Sequence, residues 1–95
     1  SRVEDYDTNG KLASYSLYGR EKTQHFQPDG TMSGYELYKY NENGQMTEWL
    51  RYNQNGELWE YYVTEYDADG NRSMYTHYDA DGTVLNYIDY QENKR

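Results

Sequence analysis

Runs of aromatic, β-branched and polar residues, each about eight to ten residues long, are cut at intervals by short polar stretches that end in glycine. Aligned on their glycines, these stretches read YDTNG (6–10), FQPDG (26–30), YNENG (40–44), YNQNG (52–56), YDADG (66–70) and YDADG (78–82). After Gly30 the steps between glycines are 14, 12, 14 and 12 residues, whereas the first step is 20. An Asp or Asn at the head of such a unit can bond its own backbone in a type I turn. Glycine then takes the positive-φ position that closes a bulged hairpin loop. Runs rich in Tyr, Trp, Thr and Val between these turns predict strands. They are too short, and lack the 3.6-residue spacing, for stable helices.

Strands joined by tight turns are neighbours in space as well as in sequence. The predicted fold class is therefore all-β, an antiparallel meander in an open or curved sheet. The 20-residue step holds an extra turn at LYGREK, around Gly19 and Arg20, which brings the total to about eight strands. Closure into a small up-and-down barrel is the competing topology. One hairpin-repeat domain over residues 1–95 is expected, as a fragment of a longer protein, because the chain opens with Ser1 rather than Met.

A three-residue loop closed by glycine pairs the residue before it with the residue after it. Asn53 then faces Glu57, Asp67 faces Asn71, and Asp79 faces Thr83. Carried across the sheet, this register predicts one face bearing the row Leu37, Trp49, Tyr61, His77, Leu85. Beside it run Lys39, Thr47, Val63, Tyr75, Tyr87 and the shorter row Tyr35, Arg51, Trp59. The opposite face receives Tyr40, Met46, Thr64, Met74, Ile88, with rows through Glu36, Leu50, Glu60, Tyr78, Val84 and through Tyr38, Glu48, Tyr62, Thr76, Asn86. Both faces mix apolar with charged residues, the pattern of a thin, solvated sheet.

Composition sharpens this picture. Fourteen residues are Tyr and one is Phe, so a thick dry core is not expected. Tyrosine instead suits a half-wet surface, with its ring covering apolar area and its hydroxyl facing water. A net charge of −8 opposes a sequence-independent grip on nucleic acid or anionic lipid. No apolar run approaches the ~18 residues of a membrane span. The absence of cysteine removes disulfides, zinc thiolate sites and thiol nucleophiles. It fits a secreted bacterial protein and a cytoplasmic one alike.

The unit YDADGNR, with Tyr66, Asp67, Gly70 and Arg72, resembles the tyrosine–aspartate (YD) repeats of bacterial surface and polymorphic-toxin proteins. The likeness covers residues 6–90 and is looser at YNENGQM and YNQNGEL, where Asn replaces Asp. The spacing also departs from that family, whose repeats are longer and less regular. YNENGQM and YNQNGEL are in turn similar to the second type of membrane-occupation repeat, found in antitoxin- or immunity-like proteins. FQPDGTMSGY resembles the aromatic cell-wall-binding repeats that recognise choline or glucan, with the glycine-to-aromatic spacing shifted by one residue. These resemblances imply hairpin arrays, a bacterial origin and an extracellular or cell-surface location.

The predicted aromatic face carries the candidate ligand-binding residues Trp49, Trp59, Tyr61, Tyr75, Tyr87, Tyr35 and Arg51. Flat rings along a sheet suit stacking on sugars or on apolar side chains of a partner, although cross-strand packing accounts for the same rings. Asp5, Asp7 and Asn9 before Gly10, and Glu65, Asp67 and Asp69 before Gly70, match the first half of a calcium loop. The twelfth position, where a bidentate Glu belongs, holds Ser16 and Thr76, and turn chemistry explains the acids without a metal. His25 and His77 fall on one face but far apart, with His77 expected beside Tyr61 and Leu85. Glu48 and Glu60 fall on adjacent strands of the second face, as ordinary solvated surface. No catalytic constellation, metal site or cofactor is predicted.

The expected function is a non-catalytic module whose aromatic face holds a glycan or cell-wall polymer. The alternatives are an interaction or immunity module for a basic protein partner, and a structural or designed repeat without a ligand. Unpaired sheet edges are expected to invite edge-to-edge self-association.

Overall fold

The computed structural model describes residues 1–91. Eight strands follow in order: β1 Arg2–Tyr6, β2 Leu12–Tyr18, β3 Lys22–Phe26, β4 Met32–Tyr40, β5 Met46–Asn53, β6 Leu58–Tyr66, β7 Arg72–Asp79 and β8 Val84–Asp89. They form one antiparallel sheet in sequence order, and no helix occurs among the described residues. The barrel alternative is incorrect, since β1 and β8 are the two outer strands and do not pair. The turn at Gly19 is present, closed by the Gly19 amide donating to the Lys22 carbonyl at 2.9 Å.

The six glycine loops share one construction. In the 52–58 loop the Asn53 amide donates to the Glu57 carbonyl and the Gly56 amide to the Asn53 carbonyl, both at 3.0 Å. Each loop glycine sits at a φ between +79° and +91°, where a side chain is strained. The heading carboxylate or amide caps the loop. Asp7, Asn41, Asn53, Asp67 and Asp79 each accept from the backbone amides two and four residues on. Gln27 cannot do this, and Asp29 substitutes by accepting from the Thr31 amide at 2.9 Å.

Beyond the loop, the register departs from the sequence expectation. Tyr52 pairs with Leu58, but Arg51 pairs with Glu60, so Trp59 is an extra, bulged residue. Ala13, Ser33, Thr47, Ser73 and Leu85 are bulged in the same way. Each lies three residues after a loop glycine, on the strand leaving the loop. A one-residue shift carries a side chain to the other face of its neighbour, because strand alternation has period two. The predicted rows are therefore rearranged. Trp49 faces Tyr62 rather than Tyr61, and Tyr61 faces Leu50 and Tyr78.

No apolar side chain is buried among the described residues. The most covered polar positions are Thr23 at 1 %, Ser16 at 7 % and Thr76 at 8 % exposure, so coverage peaks within the sheet's own side-chain layer. Backbone hydrogen bonding and cross-strand side-chain pairs carry the fold, the latter at roughly 0.2–1 kcal/mol each. The Cα envelope of 53 × 27 × 26 Å describes an elongated ribbon.

Candidate functional site

The observed register sorts the side chains into two chemically different faces. One, the ladder face, carries stacked aromatic pairs: Tyr15 on Phe26, Tyr35 on Tyr52 and Tyr61 on Tyr78, with centroids 4.9, 4.7 and 4.8 Å apart. Phe26, Tyr52 and Tyr78 each stand four residues before a loop glycine and recur every 26 residues. The hydroxyls of Tyr15, Tyr35 and Tyr61 reach over the glycines of the following loops.

The other face carries a continuous polar and aromatic network from β2 to β7. Ser16 Oγ lies 2.7 Å from His25 Nδ1, and His25 Nε2 lies 2.6 Å from Glu36 Oε2. Trp49 Nε1 donates to Glu36 Oε1 at 2.7 Å. The Trp49 ring stacks on Tyr62 at 4.9 Å, and Tyr62 stacks on His77 at 4.2 Å. His77 Nε2 meets Glu60 Oε1, and Arg51 donates to Glu60 Oε2, both at 2.6 Å. His25, Arg51 and His77 recur every 26 residues on alternate strands, and the two glutamates stand on the strands between them. Glu36, Arg51 and Glu60 are direct register neighbours.

Electrostatics follow from these contacts. Burial is the largest single influence on Glu60 and pushes its pKa up. The His77 hydrogen bond, the Arg51 charge and the Tyr62 hydroxyl together outweigh it and hold the carboxyl below 4.5. Burial raises Tyr62, reinforced by the negative charge of Glu60, and burial also raises Tyr75. Ser16, His25 and Glu36 stand in line, but Ser16 is almost covered, and the carboxylate meets Nε2 rather than the Nδ1 seen in a serine-protease relay. The contacts fix the orientation of the imidazole.

A recess of about 220 Å³ opens on the network face over Gly34, walled by His25, Glu36, Arg51, Asn53 and Trp59. Gly34 is required there by backbone proximity, since a Cβ would come within 2.8 Å of the Tyr52 carbonyl oxygen. The bulge places the Trp59 ring beside the recess with 61 % exposure, and the Arg51 guanidinium lies 5.1 Å from its centroid.

The predicted site residues are thus divided. Trp49, Arg51 and Tyr75 lie on the network face, where Trp49 is tied to Glu36 and Tyr62. Tyr35, Tyr61 and Tyr87 lie on the ladder face, the first two already stacked. The single aromatic platform is therefore incorrect, and the four bulges between β4 and β8, at Thr47, Trp59, Ser73 and Leu85, are the reason. His25 and His77 do share a face, but His77 lies against Tyr62 and Asn86 rather than Tyr61 and Leu85. Glu48 and Glu60 point to opposite faces, not the same one. In the calcium-like stretches, Asp7 and Asp67 cap their turns, and Asp5 accepts from Ser14 Oγ at 3.2 Å. Sequence reasoning did not single out Glu36 or Gly34 and read Glu60 as solvated surface, although the 26-residue recurrence of His25, Arg51 and His77 was available as a signal.

The chain matches no protein-family model, and no curated protein matches it in sequence.

Proposed function

We propose that the chain is a non-catalytic binding module of a bacterial surface or secreted protein, holding a glycan or cell-wall polymer at the recess over Gly34. The observation that carries this reading is the exposed Trp59 ring beside an opening whose other walls are His25, Glu36, Arg51 and Asn53. A sugar presents an apolar ring face for stacking and hydroxyls at its rim for charged and amide groups, which is the combination gathered here. The recess accepts a single ring-sized group and leaves the polymer to run along the sheet. Trp49 supports the site from within through Glu36.

The test is a calorimetric titration of the wild-type chain with soluble glucan oligosaccharides and muropeptides. Saturable binding is expected, and Trp59→Ala should weaken it at least ~10-fold while the sheet's circular dichroism is unchanged. Equal affinity with and without the indole would remove Trp59 from the site and sink the proposal. A second reading, a docking surface for a basic protein, draws on the exposed acids at the loop tips, Asp29, Glu57 and Asp81 at one end and Glu42 and Asp69 at the other. Its signature is association that slows steeply with ionic strength, whereas stacking on a neutral sugar hardly responds.

A further inference from the structure

The two edges of the sheet carry complementary halves of one motif. Inside the sheet a tyrosine on each of β2, β4 and β6 stacks on the aromatic residue of the next strand. Its hydroxyl lies 3.7, 3.8 or 3.4 Å from where a Cβ would stand on Gly30, Gly56 or Gly82. Tyr87 on β8 is the next member of this series, 26 residues after Tyr61, and it is 60 % exposed on an outer strand. At the opposite edge, Tyr6 stands four residues before Gly10, as Phe26, Tyr52 and Tyr78 do before their glycines. Tyr6 is 58 % exposed, and nothing lies within 4 Å of the Cβ position at Gly10. One edge thus has the tyrosine without its ring partner and loop, and the other has the ring partner and loop without their tyrosine.

We propose that β8 of one copy of this chain receives β1 of a second copy as its ninth strand, with Tyr87 stacked on Tyr6 of the second copy and its hydroxyl over that copy's Gly10. Direction agrees with this pairing. In a meander of eight strands β1 and β8 run oppositely, so β1 of the next copy arrives antiparallel to β8, as each strand does to its neighbour inside the sheet. Side-chain character agrees as well. Val84, Leu85, Tyr87 and Ile88 are all exposed along β8, which is an outer strand of the sheet among the described residues. The contact is heterologous, with different surfaces meeting, so it propagates instead of closing at a dimer.

Sedimentation velocity from micromolar to millimolar protein is expected to show mass rising past a dimer. Tyr6→Lys and Tyr87→Lys each block one edge, and each alone should remain monomeric. An equimolar mixture of the two should stop at a dimer, because only one competent pair of edges survives. Amide dispersion in NMR spectra checks that both variants keep the sheet, and Tyr6→Ser and Tyr87→Ser replace any lysine variant that loses it. Three results would overturn the proposal: a wild-type chain monomeric at millimolar concentration, a Tyr6 variant that still dimerises through β8 alone, or a mixture that stays monomeric.

Discussion

The two faces of this ribbon use similar numbers of aromatic rings for different purposes. On the ladder face, Tyr15, Tyr35 and Tyr61 stack pairwise with a ring on the next strand, and each pair is separate from the others. On the network face, Trp49 and Tyr62 join two glutamate-centred clusters, so that Ser16 on β2 is linked through named contacts to His77 on β7. The ladder is modular, whereas the network is shared. Losing one ladder pair should cost that pair alone, but losing one glutamate strips partners from several strands at once.

The largest expected effect is therefore Glu60→Gln, which keeps the shape and removes the charge between Arg51 and His77. With the Glu60 side chain 15 % exposed, the loss should be about 2–3 kcal/mol in urea unfolding. A value within experimental error of zero would mean that the network is ordinary solvated surface. Acid should reproduce part of that loss in the wild type. The folded pKa of Glu60 lies below the unfolded value near 4.5, so its stabilisation is present above that pH and is lost as pH falls from there through the folded value. The acid limb of the stability profile should flatten in Glu60→Gln, and an unchanged limb would assign the dependence to other carboxylates. The smallest effect belongs to the ladder. Tyr61→Ala should cost about 1 kcal/mol and leave the chemical shifts around Tyr35 and Tyr52 in place. A larger cost, or shifts that travel along the sheet, would erase the distinction between the faces.

The hairpin rhythm was legible in the sequence because turn chemistry is local. Asp or Asn at the head and glycine at the close specify each loop, and the pairs Asn53/Glu57, Asp67/Asn71 and Asp79/Thr83 follow from loop length alone. The bulges were not legible. Their extra residues are Ala13, Ser33, Thr47, Trp59, Ser73 and Leu85, which share no side-chain property. What they share is position, three residues past a positive-φ glycine, where the departing strand must recover the sheet's twist. One residue of phase moved Tyr61 away from Trp49 and paired Arg51 with Glu60. The Gly34 recess was hidden for a related reason. It depends on how closely the β4 and β5 backbones approach beside the bulge at Ser33, which residue types do not announce.

The strict sequential order of the strands also decides how the ribbon answers mechanical tension. A pull applied between β1 and β8 runs across the strands, so it loads the hydrogen bonds of one hairpin boundary at a time instead of shearing a whole row together. Strands should then peel away singly at low force, each releasing a short length of slack. The sheet would yield by steps, as a zip does, well before its centre was disturbed.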